Sequence, residues 1–279
     1  MGNRQKRANT AAETLEILEA GHYQTASGML VQVGDRLQQA VKGSKLFHPD
    51  DFTSLATQLS EFRTAKPTQF EVTNETTLDA SHRLVVKKNY SVVALNFASA
   101  RNPGGGFLGG SQAQEESLAR SSGMFPCINQ MSEMYEYNRH HKSLLYSDYM
   151  IYSPDVPVFR DDEGRLLERP YPLSIITAPA VNAGAVRKNQ LENISQIEPT
   201  MLNRIGKVLL LALANGHQTL VLGAWGCGVF GNKPETIARQ FATHLYEGGQ
   251  FYNQFERIVF AVLDRSKSQE IYREFANIF

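Results

Sequence analysis

The chain has 279 residues, 42% of them hydrophobic, which is enough for the core of one large α/β domain or two small ones, and we favour one. Its 28 Lys and Arg residues balance 28 Asp and Glu residues, which argues against a surface built mainly to bind nucleic acid. Cys127 and Cys227 lie far apart without metal-ligand spacing, and we recognise no signal peptide or long apolar span. We therefore expect a cytoplasmic protein with two buried thiols and no membrane partner.

The first 21 residues combine a basic start with a helix. Residues 1–9 carry basic side chains and no apolar run, so we predict a frayed or loosely attached end that needs no function. Residues 10–13, with the sequence TAAE, match a capping box, and an apolar stripe follows them. This pattern predicts a helix that ends at Gly21.

Short elements alternate over the next part of the chain. The periodicity predicts a strand at residues 29–33, helices at 35–42 and 51–62, a strand at 68–72, a helix at 75–86 and a strand at 90–95. We interpret the elements before residue 67 as a cap on a sheet. The alternation of strand and helix after that point predicts a βαβ arrangement.

A glycine cluster follows the most apolar of these strands. Residues 92–95 form a continuous apolar run that ends at Asn96, where small and turn-forming residues begin. The segment NPGGG then occupies Asn102, Pro103, Gly104, Gly105 and Gly106. Three positions without a Cβ atom permit positive φ and let backbone N–H groups approach an anion such as phosphate. A flexible surface turn is the alternative interpretation.

Paired carboxylates open the helix that comes next. Gln114, Glu115 and Glu116 lie in the first turn of a predicted amphipathic helix, Gln114–Ser121, where acidic residues are common. Adjacent residues on a helix do not face each other, so the two carboxylates cannot flank one bond as those of an ordinary glycosidase do. If both glutamates matter, they must have different roles.

The second half of the chain repeats the order of strand, small-residue loop and helix. Its predicted elements are a helix at 129–143, a projecting hairpin at 149–167, a strand at 173–177, a polar loop at 190–200, a helix at 201–214, a strand at Thr219–Leu222, a helix at 234–246, a strand at 258–263 and a helix at 268–277. Small-residue loops at 178–184 and 223–232 follow two of the strands, and the second contains four glycines. Because ligands of open α/β sheets bind beyond the carboxyl ends of strands, these loops predict a site for a diphosphate.

The combination of Gly-Gly-Gly, a spacer of seven residues and Gln-Glu-Glu resembles the signature of poly(ADP-ribose) glycohydrolases, and the chain resembles their microbial-type branch. The resemblance is strongest at residues 96–116, 152–160 and 223–232. It implies an α/β fold, namely a three-layer α/β/α macrodomain with a central mixed β-sheet and an N-terminal helical extension. It also implies a single domain at 1–279, with the extension at about 1–66 and the core at 67–279.

The resemblance implies roles for individual residues. Glu116 corresponds to the catalytic acid/base and Glu115 to the neighbour that holds ribose hydroxyls. The implied ligand-binding residues are Asn96, Asn102, Gly104, Gly105, Gly106, Gln114, Asn182, Gly226, Gly228, Val229 and Phe230. No metal and no cofactor are required. Two structural alternatives stay open, because Phe230 could be a core anchor and the three asparagines could form turns or caps.

The activity that the resemblance implies is hydrolysis of the ribose–ribose O-glycosidic bond of poly(ADP-ribose), with ADP-ribose as product and an exo-acting mode. Poly(ADP-ribose) or ADP-ribosylated protein would be the substrate, and nucleic acid would matter only as an ADP-ribosylated acceptor. Hydrolysis of a mono-ADP-ribosyl bond to protein or nucleic acid stays open. An ADP-ribose reader without turnover is a further alternative, although a reader has no need of a positioned acid.

Overall fold

The computed structural model describes residues 2–58 and 67–279, and a seven-stranded mixed sheet forms its centre. The strands are β1 (His22–Gln24), β2 (Leu30–Gln32), β3 (Lys45–Phe47), β4 (Gln69–Thr73), β5 (Val92–Phe97), β6 (Met150–Arg160), β7 (Leu166–Ala178), β8 (Thr219–Leu222) and β9 (Arg257–Ala261). The main sheet has the order β3-β6-β7-β5-β8-β9-β4, and β1 pairs with β2 separately. From β7 to β4 all neighbours are parallel, so their carboxyl ends share one edge.

Helices cover both faces of this sheet. They are α1 (Asn3–Ala20), α2 (Gly34–Gly43), α3 (Asp51–Gln58), α4 (Thr77–His82), α5 (Gln114–Ser121), α6 (Met124–Asn129), α7 (Ser132–His140), α8 (Ala183–Asn189), α9 (Ile197–Ala214), α10 (Pro234–Leu245) and α11 (Glu270–Ala276). In the described part of the chain, no helix has both the length and the apolarity that a bilayer crossing requires.

The alternation of side chains along β5 explains the three layers. Val93 and Leu95 pack in one hydrophobic core with α3 and α8 to α11, whereas Val92 and Ala94 pack in a second core with α1, α2 and α4 to α7. A strand that is buried on both faces favours apolar side chains, and Val92 to Leu95 of β5 are apolar and buried; Asn96 is buried as well and is the polar exception. The predicted α/β/α fold with a central mixed sheet is confirmed.

Several predicted elements have nearly the predicted bounds. α5 and β8 coincide with their predicted ranges, α2 and β4 differ by one residue at each end, and α10 differs by one residue at its end. α3 begins at Asp51 as predicted, and the end of that predicted helix, at residues 59–62, lies outside the described residues. These elements have strong periodicity and clear end signals, such as Pro234 in the first turn of α10.

The prediction of a frayed start was wrong. α1 begins at Asn3, because side chains of its first turns find partners on a distant loop. Arg4 Nε donates to the carbonyl of Gly109 at 2.9 Å, and Arg7 Nε donates to that of Gly110 at 2.8 Å. Local sequence carries no sign of these contacts.

The predicted projecting hairpin is instead part of the main sheet. β6 and β7 form one long antiparallel pair, and the separately predicted strand at 173–177 is the end of β7. The register shifts between Ser153 and Val156, where Asp155 adopts a φ of 44° and donates its N–H to Ser174 Oγ. This bulge interrupts the alternation of side chains and makes one strand look like two in sequence.

Two further boundaries were wrong. The predicted helix at 129–143 corresponds to the shorter α7, and α6 before it was not predicted. Gln130 Nε2 donates to the carbonyls of Cys127 and Val41, which ends α6 against α2 before α7 begins. The predicted loop at 190–200 contains a 3-10 turn, Leu191–Gln196, and the start of α9. Pro199 lies in the first turn of α9, where a helix tolerates proline.

A buried arginine joins α9 to the loop between α7 and β6. Arg204 is 1% exposed, and its Nε donates to Asp148 Oδ1 at 2.7 Å. Its other nitrogens donate to the carbonyls of Leu145, Tyr146 and Pro179 at 2.9–3.1 Å. Burial alone would raise the pKa of Asp148, but Arg204 and a neighbouring lysine outweigh it and lower the pKa. The ion pair therefore stabilises the fold at neutral pH and is lost only in acid.

We expect Arg204→Leu to lower the free energy of unfolding by about 3–5 kcal/mol, because it leaves Asp148 buried without its main partner and three carbonyls without a donor. Urea denaturation at pH 7 measures this loss. The control is Arg239→Leu, which removes an exposed pair with Glu235 and should cost less than about 1 kcal/mol. Equal losses for the two variants would contradict the prediction.

Candidate active site

Two adjacent carboxyl groups lie against the first glycine loop, beyond the carboxyl end of β5. Gly105 has a φ of 60°, and a Cβ atom on it would lie 2.5 Å from Glu116 Oε1 and 3.1 Å from Glu115 Oε2. Gly106 donates its N–H to Glu116 Oε1 at 3.0 Å. The positive φ and the close carboxyl oxygens both require glycine at position 105.

Gly104 and Gly106 are glycines because a side chain at either position would clash with other residues of the loop. A Cβ atom on Gly104, whose φ is 72°, would lie 2.9 Å from the ring of Phe107, and one on Gly106 would lie 2.5 Å from Ser111 Oγ. Asn102 is exposed in the same turn, and its carbonyl accepts the N–H of Gly105 at 3.0 Å. Gly105 and Gly106 thus lie against the carboxyl pair, and Asn102 shapes the turn that leads to them.

Glu115 is buried, with 3% of its surface exposed. The N–H of Ser99 donates to its Oε2 at 2.6 Å, and Asn96 Nδ2 donates to its Oε1 at 3.3 Å. Burial raises the pKa of Glu115 to about 8, against the lowering effect of the bonds from Ser99 and Asn96, and the charge of Glu116 raises it further. The raised pKa favours the protonated form of Glu115 at neutral pH. Glu116 lies in a partly exposed position beside it.

Asn96 links Glu115 to the next strand. The side chain is fully buried, its Nδ2 also donates to Thr177 Oγ1 at 3.2 Å, and its Oδ1 has no hydrogen-bond partner among the described residues. Exchange of the two amide atoms by rotation would let Oδ1 accept a hydrogen bond from the protonated form of Glu115. Asn96 thus contacts a carboxyl group, and its predicted contact with a ligand stays a prediction.

Gln114 holds the start of α5 against β5. Its Oε1 accepts the N–H of Phe97 at 2.9 Å, and its Nε2 donates to the carbonyl of Leu95 at 2.7 Å and to Thr77 Oγ1 at 3.1 Å. The side-chain amide therefore bonds to the backbone of β5 in the way that a neighbouring strand would. This explains why a glutamine precedes the two glutamates, and any contact of Gln114 with a ligand stays a prediction.

The second glycine loop combines constrained and open positions. Gly226 has a φ of 74°, and a Cβ atom there would lie 2.5 Å from Asn232 Nδ2. A Cβ atom on Gly228 would meet no heavy atom within 4 Å, and Val229 is 92% exposed. Phe230 is partly buried against the core that contains α8 to α11.

Asn182 stands beside this loop as a helix cap. Its Oδ1 accepts the N–H of Ala185 at 3.1 Å at the start of α8, and its Nδ2 donates to Tyr146 OH at 3.4 Å. The ring of Tyr146 lies 5.9 Å from that of Phe230. The observed contacts of Asn182 are therefore those of a helix cap, one of the two roles left open for it.

A cleft that sequence reasoning missed lies between the start of α5 and the second glycine loop. It has a volume of about 690 Å³, and both Gln114 and Gly228 line it. Its apolar walls come from Phe97, Val262, Leu263 and Ile271. The available signal was the apolar pair Val262-Leu263 directly after β9, at the same sheet edge as the glycine loops. In residues 2–58 and 67–279, no three His, Cys, Asp or Glu side chains converge on a position for a metal ion.

The fold and this edge together define a macrodomain-like protein that carries a carboxyl pair suited to glycosidic chemistry. Residues 11–161 match the family model of the microbial-type PARG catalytic domain, PARG being poly(ADP-ribose) glycohydrolase. The chain belongs to the microbial-type poly(ADP-ribose) glycohydrolase family, whose members are O-glycosyl hydrolases. Among curated proteins no significant match was found.

Solved structures agree over almost the whole chain. A poly(ADP-ribose) glycohydrolase from Thermomonospora curvata is 46% identical, with a TM-score of 0.92, and the match covers 99% of this chain and 100% of that one. The same enzyme bound to the inhibitor ADP-HPD gives a TM-score of 0.91 at 46% identity, with the same coverage. A poly(ADP-ribose) glycohydrolase from Deinococcus radiodurans in complex with ADP-ribose is 46% identical, with a TM-score of 0.81, and covers 86% of this chain and 96% of that one.

We expect Glu115→Gln to stabilise the free protein at high pH. The pKa of Glu115 is about 8 in the folded protein and about 4.5 in the unfolded chain, so between these values the folded state binds the additional proton and stability falls as pH rises. Glutamine does not titrate, and the variant should gain about 2–4 kcal/mol relative to wild type between pH 4.5 and pH 8. Urea denaturation at both pH values measures the gain. A difference that does not change with pH would refute the prediction.

Proposed function

We propose that this chain hydrolyses the ribose–ribose O-glycosidic bond of poly(ADP-ribose) and releases ADP-ribose, with Glu116 as acid/base. The observation that carries the proposal is the convergence of Glu115 and Glu116 on Gly105, beside a cleft of nucleotide size. Family membership supports the same activity, since related structures hold ADP-ribose or the inhibitor ADP-HPD.

In the proposed mechanism the two glutamates have different tasks. Glu116 gives a proton to the departing 2′-oxygen as the bond to the anomeric carbon breaks and an oxocarbenium-like ribose forms. Water then adds to that carbon, and its proton returns to Glu116. The N–H of Gly106 orients Glu116, and the buried carboxyl of Glu115 holds ribose hydroxyls.

The remaining parts of ADP-ribose have candidate sites along the same edge. We assign the diphosphate to the loop around Gly226 and Gly228, where backbone N–H groups lie beyond the end of β8. The 690 Å³ cleft would take the adenosine, because its apolar walls suit the faces of a base. Phe230 would pack on the terminal ribose.

We also propose that the chain works as one domain, with residues 1–66 as an extension of the core at 67–279. Two contacts support this. β3 of the extension pairs with β6 at the edge of the main sheet, and α1 donates hydrogen bonds to the loop after Phe107. The extension and the loop around Phe230 would limit access to the cleft, so that only the terminal unit of a polymer could enter.

The proposal is tested by separate incubation with poly(ADP-ribosyl)ated protein, mono(ADP-ribosyl)ated protein and ADP-ribosylated DNA. Release of ADP-ribose from the polymer, with the last unit left on the protein, supports the proposed function. Release only from the mono-modified protein or from DNA would assign a different ADP-ribosyl bond. Binding of ADP-ribose without turnover of any substrate would make the protein a reader.

We expect Glu116→Gln to lower the turnover rate on poly(ADP-ribose) by about 100-fold or more, because the amide keeps the shape but cannot cycle a proton. Calorimetry should show ADP-ribose affinity within a few-fold of wild type. The control is Glu136→Gln, an exposed glutamate on α7, which should keep the wild-type rate. A Glu116→Gln rate above about a tenth of wild type would remove Glu116 from this role.

Gly228→Val should weaken ADP-ribose binding about tenfold or more without loss of stability, because the protein itself leaves open space around that position while a bound phosphate would occupy it. Calorimetry and thermal denaturation measure the two effects. Gly105→Val is a poorer probe, since it displaces Glu116 as well. Unchanged affinity in Gly228→Val would place the diphosphate elsewhere.

We predict exo-hydrolysis, because a cleft bordered by the loop around Phe230 and by the extension admits a terminal ADP-ribose more easily than an internal unit. Long end-labelled polymer should release monomeric ADP-ribose from the earliest times. Early accumulation of free oligomers of middle length would show that internal units enter the site.

A further inference from the structure

The first turns of α1 contact the loop that leads from the glycine cluster to α5. Arg4 Nε donates to the carbonyl of Gly109, and Arg7 Nε donates to that of Gly110, at 2.9 and 2.8 Å. These residues are more than 100 positions apart in the chain. The Glu116 mechanism described above assigns no role to either arginine.

A short series of hydrogen bonds runs from Arg7 to Glu116. The carbonyl of Gly110, which accepts from Arg7, belongs to the same peptide unit as the N–H of Ser111. This N–H donates to the carbonyl of Gly106 at 3.1 Å, and the N–H of Gly106 donates to Glu116 Oε1 at 3.0 Å. The orientation of the peptide unit between Gly110 and Ser111 is thus coupled, through Gly106, to the N–H group that bonds to the carboxyl of Glu116.

The approach of α1 to this loop is as close as a backbone allows. Gly110 has a φ of 73°, and a Cβ atom on it would lie 2.1 Å from the carbonyl oxygen of Arg4 and 3.1 Å from the nitrogen of Ala8. No residue with a side chain can occupy position 110 while α1 stays in place. The chain therefore uses a glycine here to admit the helix.

The same helix also contacts α5. Thr14 of α1 is fully buried, and its Oγ1 donates to the carbonyl of Arg120 at 2.6 Å. Arg120 in turn donates from Nη1 to the carbonyl of Ser111 at 2.7 Å. α1 is therefore bonded both to the loop that supplies the Gly106 N–H and to the helix that carries Glu116.

From this geometry we propose that Arg4 and Arg7 are positioning residues for the hydrolysis reaction. They hold the peptide units at 109–111 so that the Gly106 N–H keeps Glu116 in its productive orientation. Three successive glycines leave the loop little conformational preference of its own, so an external contact has to supply it. The proposal rests on the proposed function, since it concerns the rate of that reaction.

The experiment compares Arg4→Ala, the double variant Arg4→Ala/Arg7→Ala, and the control Lys6→Ala. Like Arg4→Ala, the control removes one positive charge from the start of α1. Because small displacements of catalytic groups have large kinetic effects, kcat on poly(ADP-ribose) should fall about tenfold or more in the double variant. KM should change little in Arg4→Ala, and the melting temperature should change little in both variants. Arg4→Ala is the cleaner single variant, because Arg7 also lines the 690 Å³ cleft.

Two further measurements separate positioning from a general structural effect. Arg4→Lys/Arg7→Lys keeps two donors and should recover most of the lost kcat. Gly110→Ala should reproduce the loss by displacing α1, and its combination with the double alanine variant should add little, as expected for residues that act together. Lys6→Ala should keep the wild-type kcat.

Amide hydrogen exchange provides a readout that does not depend on turnover. In the double alanine variant the amides of Gly106 and Ser111 should exchange at least about tenfold faster than in wild type and in Lys6→Ala. A double variant with kcat within twofold of wild type and unchanged exchange would overturn the proposal, as would an equal effect of Lys6→Ala. If wild type does not hydrolyse the polymer, the proposed function fails, and the exchange result still decides whether the arginines hold the loop.

Discussion

The close contact between Gly105 and two carboxyl groups constrains the rest of this site. It requires a positive φ at Gly105, a loop that turns Gly106 toward Glu116, and a helix whose first turn places Glu115 inside and Glu116 at the rim. Gln114 sets that helix against the backbone of β5 through hydrogen bonds to Phe97 and Leu95. The loop, the helix and the strand therefore depend on one another.

The site carries a cost in stability. Glu115 is buried in the apolar interior of the sheet edge, and its hydrogen bonds do not compensate fully for the lost hydration of the charge, since its pKa is raised to about 8. The two hydrophobic cores on either side of β5, together with buried pairs such as Arg204 with Asp148, supply the stability that tolerates this burial. Strained or unfavourable groups of this kind concentrate where a protein does chemistry.

The carboxyl pair distinguishes a hydrolase from a binding module on the same fold. Two glycine loops and an apolar cleft are sufficient to bind a nucleotide diphosphate, and neither requires an acid at its edge. A buried carboxyl with a raised pKa beside a partly exposed one gives this edge two acidic groups in different environments. Helix α1 contacts both the loop that contains Gly110 and helix α5.

The sequence by itself determined the elements whose signals are local. The apolar run before Asn96, the helix Gln114–Ser121 and the strand Thr219–Leu222 follow from periodicity and end signals, and the glycine cluster with Gln-Glu-Glu located the carboxyl pair. Only the tertiary structure decided that Arg4 and Arg7 hold residues 109–110, that Gln114 bonds to β5, and that a cleft runs beside Val262. Burial of Glu115, and with it the raised pKa of this side chain, also depends on the packing of other elements. Each of these features joins residues far apart in the chain, and contacts of that kind leave no pattern in neighbouring residues.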